Sequence, residues 1–100
     1  MELTGKCKEE FEKWWFENMG QEMSINTFYQ LPNPMKYGVF EDYFEIVCVD
    51  LDVFKSTTLQ KMFYYSVDNV ISPPLKSRPQ ARIVATEKAD EIRNKELNTN

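Results

Sequence analysis

Apolar side chains recur at steps of three and four residues along the first twenty positions of the chain. This spacing predicts an amphipathic helix that begins after Thr4 as its N-cap and ends before Gly20. Phe16 lies about 100° from Trp15 around the helix axis, so either the buried stripe is wide or the Phe16 ring is exposed. The predicted apolar face consists of Cys7, Phe11, Trp14, Trp15 and Asn18.

Residues 31–54 contain a change from a helical to a strand-like pattern. Asn33 followed by Pro34 is typical of a helix start, because Asn can cap an orphan N–H and Pro loses no needed donor there. Gly38 in the middle of this helix indicates either a close packing contact with another element or a short helix of two to three turns, and we favour the close contact. Residues 45–54 alternate with period two, which predicts a half-buried strand. The helix is predicted to bury Met35, Val39, Phe40 and Tyr43.

A second strand is predicted over residues 59–67, which are dense in β-branched and aromatic side chains. It would form an antiparallel hairpin with residues 45–54. Because a two-stranded sheet alone is only marginally stable, we expect a third strand from residues 21–31 or 70–75, or pairing with another chain. Residues 21–32 otherwise show no sustained period, which indicates a connection with a short helical turn.

The last helix is predicted to begin at Arg78, because Ser77 and Gln80 have the spacing of a capping box. Helix, helix, strand, strand and helix then form a single α+β domain over residues 1–97, followed by a frayed tail at 98–100. The helices are expected to pack on one face of a small antiparallel sheet. The apolar stripe of the last helix is Ala81, Val84, Ala85, Ala89 and Ile92, and the side predicted to face water is Arg82, Thr86, Glu87, Asp90, Glu91 and Lys95.

Aromatic residues make up 14% of the chain, so they must supply much of the core of a single domain of 100 residues. The net charge of −4 disfavours direct binding to nucleic acid or to an anionic membrane. The chain shows neither a signal-peptide pattern nor an apolar run of membrane-spanning length, so we expect a cytoplasmic protein. The core is predicted to gather Trp14, Val39, Phe40, Val47, Val49 and Ala85.

The sequence contains no histidine, which removes the Ser-His and Cys-His catalytic arrangements and every histidine-bound metal. Cys7 and Cys48 lie too far apart in the sequence for a zinc or redox motif, so both thiols are expected to be reduced and buried. The three glycines are scattered, which argues against a glycine-rich phosphate loop. We therefore expect no cofactor, no bound metal and no enzymatic activity.

Asp50 and Asp52 are the strongest remaining candidates for chemistry. Their carboxylates share one face of the predicted strand, where they could hold a hard cation or act as an acid pair. The solvated outer face of a half-buried strand produces the same alternation without any catalytic role. An enzyme that uses these two residues is therefore the alternative function.

Neighbouring aromatic residues predict an interaction surface, because adjacent rings cannot all point into one small core. Trp15 and Phe16 form one such pair, and Tyr64 lies beside an edge along residues 59–67 that would be open in a two-stranded sheet. A homodimer or a host protein would cover these groups. The alternative is that the rings only wrap the margin of a small core.

Lys76, Arg78 and Arg82 are the second candidate for contact with a partner. They are cations at the N-terminal end of the last helix, where the helix dipole disfavours positive charge. An anion or an acidic partner would offset this cost. A chance cluster explains the same three residues, so both interpretations stay open.

Three patches of sequence, FEKW at 11–14, MKYGVFEDYF at 35–44 and ATEKADEI at 85–92, form a recognisable pattern. The pattern resembles that of short uncharacterised proteins of Bacteroidetes-type bacteria and their phages and prophages. The chain departs from it at Glu45–Cys48, where those proteins usually carry an acidic-Ser-Val-Gly turn. The resemblance implies a small phage or prophage accessory protein, and many such proteins bind and block a host protein.

Two classes of function follow from the sequence. The first is a non-enzymatic protein-binding module, in particular an inhibitor that binds a host defence complex such as a CRISPR-type nuclease. The second is a carboxylate-based or divalent-metal-dependent enzyme using Asp50 and Asp52. We favour the first, and its predicted partner-binding residues are Trp15, Phe16, Tyr64, Lys76, Arg78 and Arg82.

Overall fold

Four helices and three strands make up the chain in the computed structural model, which describes residues 1–56 and 62–99. The predicted α+β class is confirmed, with helices that contact a small antiparallel sheet. The elements are α1 (Gly5–Met19), α2 (Ile25–Tyr29), α3 (Asn33–Ile46), β1 (Leu51–Lys55), β2 (Phe63–Val67), β3 (Val70–Ile71) and α4 (Arg78–Asn98).

The sheet has the order β1-β2-β3, and both pairs of strands are antiparallel. The turn from β2 to β3 uses Asp68 and Asn69, both with positive φ, which Asp and Asn tolerate better than most residues. The segment after β3 also pairs with β2, because Leu75 and Phe63 exchange backbone hydrogen bonds of 2.8 and 2.9 Å. The third strand therefore comes from residues 70–75, one of the two predicted sources.

This third strand corrects the prediction of an open edge along residues 59–67. Over its described residues β2 is the central strand, so its backbone groups are paired on both sides. Residues 59–61 of the predicted strand lie outside the described residues. Among the described residues the two edges of the sheet are β1 and the two-residue strand β3, and β1 is the longer of the two.

The core is an aromatic cluster between the first three helices. Phe11 of α1 lies at its centre, with its ring centroid 5.5 Å from Phe28, 5.1 Å from Phe40 and 5.3 Å from Tyr43. Tilted and edge-on rings at these distances are favourable beyond the area that they bury. Of the six predicted core residues, Phe40, Val49 and Ala85 are buried in this cluster, and Trp14, Val39 and Val47 are partly buried against it.

Helix α3 differs from its prediction in both its end and its buried face. It continues to Ile46, and β1 begins at Leu51 rather than at Glu45. Cys48 has a φ of 63°, and this left-handed residue turns the chain between the helix and the strand. Met35 is exposed, whereas α3 buries Lys36, Tyr37, Phe40, Tyr43 and Phe44.

Gly38 lies on the exposed side of α3, and a Cβ built there would meet no atom within 4 Å. The predicted close contact at this glycine is therefore wrong. The start of α3 also differs slightly, because Pro32 occupies the N-cap position and Asn33 is already helical.

Helix α4 packs across β1 and β2, and its three alanines, Ala81, Ala85 and Ala89, are fully buried. Their small size lets the helix backbone approach the sheet closely. The Ser77 hydroxyl accepts a hydrogen bond from the Gln80 N–H at 3.2 Å, as the predicted cap requires. The helix extends to Asn98, one residue into the tail that was predicted to fray.

Thr86 and Asp90 of α4 were predicted to face water, and both are buried. The Thr86 hydroxyl donates to the Arg82 carbonyl at 2.8 Å. The Asp90 carboxylate accepts hydrogen bonds from the Thr4 N–H at 2.9 Å and the Thr4 hydroxyl at 2.6 Å. The Thr4 side chain therefore ties the start of α1 to α4 instead of capping its own helix.

Candidate functional site

The structure separates the predicted aromatic pair at the end of α1. Trp15 is only 3% exposed, and its indole N–H donates to the Met23 carbonyl at 2.9 Å. Trp15 is therefore a core residue that a partner cannot reach in the folded chain. Phe16 is 77% exposed and borders a concavity whose other lining residues are mostly polar.

The predicted basic cluster is largely occupied by contacts within the chain. The Arg78 guanidinium lies 5.1 Å from the centroid of the Phe63 ring, and that of Arg82 lies 5.6 Å from the Tyr37 ring. Such cation–π contacts contribute about 0.5–1 kcal/mol at partly exposed sites. Lys76 is exposed. Two of the three cations therefore pack against rings of the same chain. That Lys76, Arg78 and Arg82 contact a partner stays a prediction.

Tyr64 lies on the face of the sheet that points away from the helices. Leu51, Val53, Tyr65 and Val67 belong to the core or pack against it. Because side chains alternate between the two faces of a strand, the residues between them project to the opposite side. There the ring of Phe54 stacks on that of Tyr64, with centroids 5.8 Å apart and planes 17° apart.

Ile71 extends this apolar surface onto β3. It pairs with Ser66 across the sheet, so it shares the face of Tyr64, and it is 64% exposed. We call Phe54, Tyr64 and Ile71 the outer face. Sequence reasoning identified only Tyr64, although the alternation in both strands combined with the hairpin register would have placed Phe54 beside it.

The outer edge of β1 carries backbone groups that no other strand uses. The Asp68 N–H donates to the Asp50 carbonyl at 2.9 Å, and the Ser56 N–H donates to the Met62 carbonyl at 2.8 Å. Since bonded and non-bonded pairs alternate along an antiparallel ladder, Leu51, Val53 and Lys55 direct their N–H and C=O groups away from β2. Nothing in residues 1–56 and 62–99 pairs with this edge.

An acidic concavity of about 290 Å³ adjoins the start of this edge. We call its four carboxylate residues, Glu41, Asp42, Glu45 and Asp50, the acidic cleft, and Val49 and Leu51 complete its lining. Among the described residues, no Lys or Arg lies within ion-pair distance of these carboxylates. The cleft is thus a concentration of negative charge without a paired cation.

Burial and the acidic surroundings shift the pKa values of two groups in this region, Glu41 and Tyr37. Burial raises the pKa of Glu41, and the nearby Asp52 and Asp42 raise it further, while the Tyr37 hydroxyl and the Arg82 guanidinium partly oppose this shift. Burial and Glu41 likewise raise the pKa of Tyr37. The buried Tyr37 hydroxyl has no hydrogen-bond partner of acceptable geometry in the described chain, although Glu41 lies close enough to affect its ionisation.

The alternative catalytic pair gains no further ligands from the fold. Asp50 precedes β1, and its backbone N–H donates to the Asp68 carboxylate at 2.9 Å, while Asp52 lies exposed on the strand. The described part of the chain brings together no group of three side chains of the types that bind metals. The two carboxylates remain an acidic surface feature in this geometry.

A partly buried polar network connects α1, α3 and α4. The Glu10 carboxylate accepts hydrogen bonds from the Tyr43 hydroxyl at 2.6 Å and from the Arg93 guanidinium at 2.8 and 2.7 Å. The bonds from Arg93 hold the pKa of Glu10 below its ordinary value, and the bond from Tyr43 lowers it further. Because each polar group meets a partner, this network stabilises helix packing.

The two cysteines differ in environment. Cys7 is buried, with its Sγ 3.7 Å from the Tyr43 hydroxyl, and burial raises the pKa of the thiol to about 12. Such a thiol is a poor nucleophile near neutral pH. Cys48 is free but exposed, which corrects the prediction that both thiols are buried.

Comparison of the chain with protein-family models, curated proteins and solved structures finds no match. None of the helices in the described residues combines the length and the apolar character needed to cross a membrane. The assignment of a function therefore depends on the surfaces of the chain itself.

Proposed function

We propose that the chain is a small, non-enzymatic protein-binding module that receives its partner on the outer face. The observation that supports this most directly is the one-sided cover of the sheet. Helix α4 covers one side, whereas the other side carries a stacked aromatic pair and an exposed isoleucine. Aromatic and aliphatic groups clustered at an exposed site are typical of protein interfaces.

The biological setting of the proposal comes from the resemblance to phage and prophage proteins. In that setting the partner is a host protein in the cytoplasm, and a CRISPR-type defence nuclease complex is the specific candidate. The chain would inhibit its target by direct binding and without chemistry of its own. The lack of histidine and the inert environment of Cys7 support a non-catalytic role.

The size of the outer face limits what it can hold alone. Strands of five, five and two residues give a face of about 200 Å² from the standard rise and spacing of strands. A stable interface buries about 800 Å² on each partner. A specific partner must therefore contact more of the chain than the outer face.

A capture experiment with matched variants tests this function. The tagged chain is incubated with a lysate of the bacterial host, and retained proteins are identified by mass spectrometry. Tyr64→Glu should abolish capture of a stoichiometric partner, because it places a charge in the centre of the apolar patch. Met35→Glu adds the same charge at an exposed position on α3 and should leave capture unchanged.

Circular dichroism of both variants checks that the fold is retained. Equal capture by wild type and Tyr64→Glu would contradict the outer face as the binding surface. Loss of capture with Phe16→Glu alone would move the site to the exposed ring at the end of α1.

A further inference from the structure

The outer edge of β1 is unpaired in the described residues and is therefore a site for strand addition. Leu51, Val53 and Lys55 present three N–H and three C=O groups that have no partner in the described residues, as the hydrogen-bond alternation requires. Edge strands are ordinarily blunted by proline, by bulges, by charged side chains or by a covering loop. Of these devices, β1 carries charged side chains, Asp52 and Lys55. Strand β1 contains no proline, and its pairing with β2 is continuous over all five residues.

The charge around this edge is strongly one-sided. The acidic cleft adjoins its beginning, and Asp52 is exposed on the strand itself. Against these five carboxylates, Lys55 is the one cation on β1. Because none of the five forms an ion pair in the described chain, they remain available to cations from outside.

A buried polar atom points to the same place. The hydroxyl of Tyr37 is enclosed beside Glu41 of the acidic cleft and interacts with its carboxylate, although the two groups are not aligned as a regular hydrogen bond. A phenol oxygen can accept a hydrogen bond as well as donate one. The Glu41 carboxylate beside it is half-buried, so an incoming guanidinium or ammonium group would donate to Glu41.

We propose that β1 is a docking edge for an extended, basic segment of a partner protein. The segment adds a fourth strand beside Leu51–Lys55 through backbone hydrogen bonds. Alternate side chains then reach the acidic cleft and the outer face, so cationic residues at one period-two position and apolar residues at the other fit best. This inference rests on the proposed function, because it supplies the additional contact that the small outer face requires.

Charge favours such a partner over a second copy of this chain. Two copies paired through β1 would bring two sets of five carboxylates to one interface, with only two lysines on the paired strands. Like charges placed across an interface act against association. A basic segment instead offsets the repulsion among the five carboxylates of one chain.

Amide hydrogen exchange with two matched peptides tests the edge. The probes are a short capped peptide of alternating lysine and valine, and its counterpart of alternating glutamate and valine. With the lysine peptide, the amides of Leu51, Val53 and Lys55 should exchange several-fold more slowly, because their N–H groups become hydrogen bonded. The glutamate peptide should leave their exchange unchanged, and high salt should reduce the protection by the lysine peptide.

Two variants separate the backbone and charge contributions. Val53→Pro removes the central outward N–H while keeping the ladder with β2, and it should abolish the protection of the edge. The double variant Glu41→Gln/Glu45→Gln leaves the backbone intact and should weaken lysine-peptide binding several-fold. If Val53→Pro fails to fold, the double variant tests the inference alone.

Equal protection by both peptides, or none by the lysine peptide, would overturn the proposed edge. Protection that appears when the chain is concentrated without peptide would identify a second copy as the occupant, which also overturns it. A Tyr64-dependent partner found together with a peptide-insensitive edge would leave the proposed function standing. Absence of any Tyr64-dependent partner would count against the proposed function itself.

Discussion

The helical and sheet regions of this molecule differ in how much of their apolar side chains is exposed. In the helical region, the rings of Phe11, Phe28 and Phe40 are enclosed by other rings and have no exposed area. In the sheet region, Val67 is enclosed by α4, while Phe54 and Ile71 on the other side retain exposed surface. The comparison separates residues that hold the fold from residues available to a partner.

Polar groups follow the same division. In the helical region, the carboxylates of Glu10 and Asp90 each receive several hydrogen bonds from other helices or their starts. Beside the sheet, the four carboxylates of the acidic cleft form no ion pair in the described chain, and Arg82 acts on Glu41 only from a longer distance. Groups satisfied internally contribute to stability, whereas unsatisfied surface groups contribute mainly to recognition.

The largest effect is expected from Phe11, the centre of the enclosed region. Phe11→Ala should destabilise the fold by about 3–5 kcal/mol, because it removes contacts with five aromatic rings and leaves a cavity. Thermal and urea unfolding measure this change. Phe16→Ala in the same helix is the control and should change the stability by less than about 0.5 kcal/mol. Similar costs for both variants would contradict the assignment of Phe11 to the core.

Glu10 provides a second test of the helical region. Glu10→Gln should cost about 2 kcal/mol at neutral pH, because it weakens charge-assisted hydrogen bonds with Arg93 and leaves the guanidinium poorly compensated. The pKa of Glu10 is lower in the folded chain than its ordinary value. The ionised carboxylate therefore stabilises the fold above its unfolded pKa, and this stabilisation is lost as the pH falls through its folded pKa.

Urea unfolding of wild type and Glu10→Gln as a function of pH measures this contribution. The difference in stability should be full near neutral pH and should decrease below about pH 4, near the ordinary pKa of a glutamate. A difference that does not depend on pH would indicate a packing effect rather than the charge of Glu10.

The sequence predicts the helical region well where periodicity and caps agree. Helix α1 ends at Met19 and α4 begins at Arg78 as expected, because the apolar spacing and the Ser77 cap are local signals. The boundary between α3 and β1 was misplaced because Glu45 and Ile46 follow the period-two alternation of the strand in the sequence but continue the helix in the structure, and the chain then turns at Cys48 before β1 begins. Local pattern cannot resolve such a conflict.

The candidate site is less predictable because it depends on contacts distant in sequence. Asp90 is buried through hydrogen bonds with Thr4, 86 positions away, which no helical period reveals. The outer face needs the register of β1, β2 and β3, and the open edge depends on residues 70–75 pairing with β2. Of these features, the sequence indicated Tyr64, the acidic residues Asp50 and Asp52, and residues 70–75 as one of two possible sources of the third strand.

A smaller effect should distinguish the two faces of the sheet. Val67→Ala removes buried methyl groups and should cost about 1.5 kcal/mol, whereas Ile71→Ala on the outer face should cost less than about 0.5 kcal/mol. Chemical unfolding measures both values in the free chain. The affinity for a captured partner should show the opposite order, because Ile71→Ala should weaken binding more than Val67→Ala does. Equal stability costs would contradict the one-sided cover of the sheet.

The smallest expected effect is that of divalent cations on the acidic region. Addition of millimolar Mg²⁺, Ca²⁺ or Mn²⁺ should leave the Tm unchanged, because a ligand stabilises a fold only by binding the native state more tightly than the unfolded chain. The cleft carboxylates are ligands of the right type, but the described residues bring no third ligand close to Asp50 and Asp52. Thermal unfolding with and without each ion measures the shift, and Asp50→Asn/Asp52→Asn provides the control. A rise of several degrees that this double variant abolishes would favour the metal-dependent enzyme and would show that the acidic region recognises an ion rather than a basic partner.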